Sequence, residues 1–151
     1  PEFDGEEISN EMLRVLAAYV DGLQAPPAVD DPRGAALFAA TGCAACHVPD
    51  MPALGGGTVR VFSDLLLHDM GPGLDDGVGE PGVLSSEWRT APLLTLSTRT
   101  GTDRRYLHDG RAATIADAVL AHGGEADPAR SRFEALSGED RAALLAYLET
   151  L

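Results

Sequence analysis

The chain has 151 residues, single-domain size, with 24 Asp and Glu against 11 Lys and Arg and a formal charge of −13. That charge argues against a nucleic-acid binder, whose phosphates would be repelled. It favours a basic partner met by electrostatic steering, or an acidity that serves only solubility. No run approaches the ~20 apolar residues of a membrane span, and no charged stretch followed by an apolar one opens the chain. With one Trp, three Tyr and four Phe, a small core would gain from a large apolar insert.

The first predicted element is an amphipathic helix over Glu6–Leu23. Ile8, Met12, Leu16, Tyr19, Val20 and Leu23 recur at three- and four-residue steps, and Glu6, Glu7 and Glu11 crowd its N-terminal end. Gln24-Ala-Pro-Pro-Ala breaks it, and Ala25–Asp30 reads as a linker. Asp31-Pro32 restarts a helix, with Asp as N-cap and Pro at the first helical position. That helix carries Leu37 and Phe38 inward and stops at Thr41-Gly42.

Directly after it stands Cys43-Ala-Ala-Cys46-His47, which holds both cysteines of the chain. C-x-x-C-H is the attachment signature of c-type haem: each thiol adds to a vinyl group, and the histidine that follows is placed under the iron as proximal ligand. Three other readings compete. A thioredoxin-like pair needs a strand–helix context, whereas an alanine-rich helical run leads in here. A zinc site needs further ligands, for which His68, His108 and His122 are the available histidines. A plain disulfide would close a cramped loop. The expectation is one covalent haem c, toward which the preceding helix carries Leu37 and Phe38.

From Val48 to Arg111 the chain is rich in Gly and Pro. Thr58–Phe62 is predicted as a short strand, Ser63–His68 as a helical turn, and Gly71–Gly82 as a long loop of the kind that wraps something. Asp75 and Asp76 lack EF-hand spacing and read as a solvated turn. Thr114-Ile-Ala-Asp117 resembles a capping box and opens a short helix that stops at Gly123-Gly124. On it Ile115, Ala118, Val119 and His122 share one face. Asp127-Pro128 starts another short helix with Phe133 and Leu136, and Ser137–Asp140 caps a last one striped by Leu144, Leu145, Leu148 and Leu151. The predicted fold is all-α, a cytochrome c-like domain with long Gly/Pro-rich loops around its haem.

Several stretches together resemble one family: Gly42-Cys-Ala-Ala-Cys-His47-Val-Pro, Ser63-Asp-Leu-Leu-Leu-His-Asp-Met-Gly-Pro-Gly-Leu74, Glu87-Trp-Arg-Thr-Ala-Pro-Leu93, Tyr106-Leu-His-Asp-Gly-Arg111 and Ala121-His-Gly-Gly-Glu125. They are similar to the C-terminal half of the bacterial di-haem oxidoreductases, labelled peroxidases or thiol oxidoreductases and related to di-haem cytochrome c peroxidases. The resemblance implies that residues 1–30 are a helix and linker left from a preceding N-terminal haem half, and that 31–151 form the haem domain. It implies an electron-relay role for this domain, with the missing N-terminal haem domain as its partner, within a parent oxidoreductase that is peroxidase-like. The peroxidases carry Thr-x-Pro before the motif at Tyr106 and use it for a structural Ca2+; Asp103-Arg104-Arg105 stands here instead, which puts that Ca2+ in doubt. The thiol-oxidoreductase label has no support in the residues, since both cysteines are committed to haem.

The resemblance and the helix face both point to His122 as distal ligand. Met70, in a Gly-flanked loop, is the rival, and Met raises a haem potential relative to His. Met51 lies too close to His47, and Met12 sits on a packing face. Arg89 and Arg111 are candidates for the haem propionates, His68 and His108 for residues near the haem edge with their ring nitrogens held by neighbours, and Trp88 for a packing partner of the macrocycle. The leading function is one-electron transfer. The alternative is a haem that itself meets peroxide or oxygen, which requires an open or displaceable sixth position and an acid–base group such as His68 or His108. Haem c is attached outside the cytoplasm in bacteria, so a periplasmic or otherwise exported protein is expected. The chain then reads as a mature form or, preferably, as a cut-down stretch with Pro1-Glu2-Phe3 as a cloning remnant.

Overall fold

The computed structural model describes residues 8–24, 26–27, 29–99 and 104–151. Among these lie five α-helices: α1 (Asn10–Asp21), α2 (Pro32–Thr41), α3 (Ile115–Ala121), α4 (Asp127–Ala135) and α5 (Gly138–Glu149). The fold is mostly helical but not all-α as predicted. Strands β1 (Asp50–Pro52) and β2 (Thr58–Arg60) pair antiparallel, as do β3 (Leu67–Asp69) and β4 (Glu87–Arg89).

Four of the five helices start where a side chain takes an orphan N–H, and α4 starts instead with Pro128 in its first turn. Asp31 accepts from Gly34 N at 2.9 Å, Thr114 from Asp117 N at 3.0 Å and Ser137 from Asp140 N at 3.1 Å. Ser9 caps α1, accepting from Met12 N, so the first helix begins at Asn10, four residues later than the expected start; Glu6 and Glu7 lie outside the described residues. Gly42 ends α2 at φ 91°, in the left-handed region that a residue with a Cβ enters at a cost.

The core sits between α2, α4 and α5. Phe38, Phe62, Phe133, Leu144, Tyr147, Leu148 and Leu151 form one buried cluster. Phe38 packs edge-on against Phe62 at 5.9 Å and Tyr147 at 5.8 Å, so three of the few aromatics are spent in one place. Such pairs add about 0.5–1.5 kcal/mol each beyond the area they bury. Helices α2 and α5 approach so closely at Gly34 that a Cβ there would lie 2.2 Å from Tyr147 Cβ. Helix α1 is the opposite case: none of its residues is buried, and Met12, Leu16, Tyr19 and Val20 are all exposed.

The middle of the chain is ordered by other means. Ser63, Asp64, Asp69, Asp75, Asp76 and Asp109 each accept a hydrogen bond from the backbone N–H two residues on, at 2.7–3.0 Å. These are the local side-chain turns that compete with helix and strand. They replace the helical turn predicted over Ser63–His68: Leu65 takes φ 60°, and the chain then runs extended as β3, with His68 opposite Trp88. Asp75 and Asp76 stabilise their own exposed turn.

Candidate metal centre

The Gly42 stop turns the chain into a single 3-10 turn over Cys43–Ala45, closed by His47 N donating to Cys43 O at 2.9 Å. Cys43 and Cys46 are half-buried and not bonded to each other. Burial raises both thiol pKa values, and for Cys46 the nearby Asp64 and Glu125 raise it further. A thiol-redox centre wants the reverse, an electropositive setting that favours thiolate.

His47 is held from below by the turn it follows. Its Nδ1 lies 3.1 Å from the carbonyl of Phe62, which a left-handed φ of 53° at that residue helps to present. A carbonyl only accepts, so Nδ1 carries the hydrogen and Nε2 keeps its lone pair. Burial is the main cause of the lowered pKa of His47, outweighing that hydrogen bond, so the ring is neutral at pH 7.

His122 arrives from the other end of the chain by the same device. It stands directly after α3, and its Nδ1 donates to Ala118 O at 2.7 Å, again leaving Nε2 as the free acceptor. Burial lowers its pKa too. The two rings are neighbours, with centroids 6.4 Å apart and planes tilted by 51°. A metal bonded to both Nε2 atoms at roughly 2 Å, with each ring centre about 1 Å behind its nitrogen, holds the centroids about 6 Å apart. Two neutral, backbone-anchored imidazoles at that spacing, beside two unbonded cysteines, fit a haem iron and its attachment points.

The other expected residues are placed as follows. Met70 lies in the backbone segment that packs on the residues just after His122: a Cβ on Gly123 would come within 2.8 Å of Met70 O. His68 is gripped at both nitrogens, Nε2 by Asp64 and Nδ1 by Glu125, each at 2.9 Å, and these two carboxylates raise its pKa. Cys46, Asp64 and His68 bring donor atoms within 4.8 Å of one another, the one such group of three among the described residues, and His108 and His122 are not in it. His108 stacks on Trp88 at 3.4 Å and 15°, while the Trp88 indole donates to Leu74 O. Arg111 is held by the Asp109 carboxylate and the Gly73 carbonyl. Arg89 ends β4, exposed. Asp103 lies outside the described residues.

Sequence reasoning did not single out Asp64 and Glu125. Both sit inside motifs quoted above, but what joins them is a histidine 4 and 57 residues away, which only the fold brings between them.

A family model described as "Di-haem oxidoreductase, putative peroxidase" matches residues 25–151. No curated protein and no solved structure matches the chain.

Proposed function

We propose, from the premise that the chain belongs to the di-haem oxidoreductase family, that this domain passes single electrons through one covalently held haem c. The observation that carries the reading is the pair of neutral imidazoles with centroids 6.4 Å apart, each with Nδ1 anchored to a backbone carbonyl. A haem bound there supplies an iron that alternates between ferric and ferrous.

The chain's own residues do the rest. The Cys43 and Cys46 thiols each add S–H across one vinyl group: a sulfur–carbon bond forms, the hydrogen goes to the neighbouring carbon, and nothing leaves. His47 serves as proximal ligand and His122 as distal ligand. Burial keeps both rings neutral. Two histidine ligands set a lower potential than a His/Met pair would. The peroxide-reacting alternative requires an open sixth position, whereas the present reading would give that position to His122. His68, its candidate acid–base group, has both nitrogens occupied by carboxylates. The partners proposed are an N-terminal haem half and a basic redox protein drawn by the charge of −13, in an exported compartment.

The test is the optical spectrum of the haem-loaded chain, oxidised and reduced, beside His122→Ala and Met70→Ala. The expected result is a low-spin ferric spectrum without the weak far-red Met-sulfur-to-iron band, turned high-spin by His122→Ala and unchanged by Met70→Ala. A high-spin wild type that responds to peroxide overturns the relay reading, and a colourless protein overturns the haem.

A further inference from the structure

We infer that Glu125, acting through His68, is a positioning residue for His122, and that the Asp64–His68–Glu125 bridge sets how the two imidazoles are held apart. The inference rests on the reading of His122 as a ligand and adds what controls it.

The bridge runs without a break from the proximal to the distal side. Asp64 N donates to Cys46 O at 2.9 Å, one residue before His47. The Asp64 carboxylate meets His68 Nε2, and His68 Nδ1 meets Glu125 Oε2, each at 2.9 Å. The second oxygen of Glu125 accepts from Asp69 N at 3.1 Å. Glu125 lies three residues past His122, and between them stand only Gly123 and Gly124. There the backbones touch: a Cβ on Gly124 would lie 2.1 Å from Asp69 O, and one on Gly71 would lie 2.9 Å from Gly124 N. Among the described residues, the two bonds of Glu125 are the only hydrogen bonds that tie the 122–126 segment to a distant part of the chain.

Glu125 is more than half exposed, 57% for its side chain, and a carboxylate so placed is ordinarily left to solvent. Here both oxygens are committed, one to a side chain and one to a backbone N–H, so the carboxylate fixes position and orientation together. Residues that orient a ligand in this way typically change metal affinity 10–100-fold when removed. His122, itself just outside α3, has no other distant polar anchor beyond it. Release of Glu125 therefore loosens the backbone behind His122, leaving its ring held only by the local bond to Ala118 O, while the proximal ring stays fixed by the Phe62 carbonyl.

The experiment uses the haem-loaded full chain and reads ferric spin state and the rate of cyanide binding. The variants are Glu125→Ala, His68→Phe, Glu125→Gln and His122→Ala. Expected are cyanide association about tenfold or more faster in Glu125→Ala and His68→Phe, together with a high-spin fraction or a new far-red band from Met70. Glu125→Gln, whose amide oxygen still accepts from Asp69 N and whose NH2 can face a neutral His68, is expected to stay near wild type. The inference is overturned if Glu125→Ala and His68→Phe stay within twofold of wild type in rate with unchanged spectra, while His122→Ala loses the low-spin state. An unchanged spectrum in His122→Ala instead removes the ligand reading, and the inference with it. Because Glu125 is exposed and outside the core, its variants leave the fold intact, and circular dichroism of each checks this.

Discussion

The helical frame and the middle segment are held by different physics. Helices α2, α4 and α5 hold one another by side-chain packing around Phe38, Phe133 and Tyr147, with capping only at their ends. The segment between Val48 and Arg111 reaches the core through Phe62, has two short sheets, and elsewhere relies on polar side chains that close their own backbone turns. One region places the attachment motif at the end of a rigid helix; the other lays a strap from Cys46 to the residues behind His122. The contrast teaches that stability and ligand geometry are written in different residue types.

The largest expected effect lies in the frame. Phe38→Ala removes a side chain only 2% exposed, at the centre of the aromatic cluster. It should cost about 3–5 kcal/mol, read from urea unfolding, while the spectrum of the remaining folded, haem-loaded protein is unchanged. A shifted spectrum would erase the division. Next comes Ser63→Ala. Ser63 is fully buried, donates to Thr90 O at 2.7 Å and accepts from Leu65 N at 2.9 Å. Leaving those groups unsatisfied should cost about 1–3 kcal/mol; a loss below half a kcal/mol, on the order of a surface change, would mean that the segment is held by packing after all. The smallest effect concerns acid. Asp75 and Asp109 have pKa values lowered first of all by the backbone N–H groups of Gly77 and Arg111. A depressed carboxylate contributes stability above its unfolded pKa, near 4, and loses it as pH falls through the folded value. Protection of the Gly77 and Arg111 amides, taken relative to the intrinsic exchange rate at each pH, should therefore fall below about pH 4, before that of α5 does; simultaneous loss in both regions would contradict the comparison.

What the sequence disclosed follows the same line. The starts at Asp31-Pro32, Thr114, Asp127-Pro128 and Ser137 and the stop at Gly42 depend on residues within four positions of each other, so they are readable locally. The attachment motif is five residues long and equally local. β3 was missed because its partner β4 lies some 20 residues on, and because Ser63 and Asp64 can cap a helix as readily as they close a turn. Phe38 was read as heading for the prosthetic group, yet the structure packs it in the aromatic core; periodicity identifies a buried face without naming what covers it. The first helix makes the same point from the other side. Its apolar stripe is plain in the sequence, and nothing in the described chain buries it. The role of Glu125 was hidden because it needs three separated segments at once.

Gly34 has a consequence beyond the core it serves. It is the point at which α2 rests on α5, and α2 continues from there to Thr41, about 10 Å at 1.5 Å per residue, as a stiff rod ending at the cysteines. Any side chain at position 34 would press on Tyr147, and a shift of α2 there would be felt along the helix at Phe38 and toward Cys43 and Cys46. The position of the cysteine pair thus depends on a residue nine positions away with no side chain, and, on the proposed function, a mutational scan of position 34 should find glycine alone compatible with efficient haem attachment.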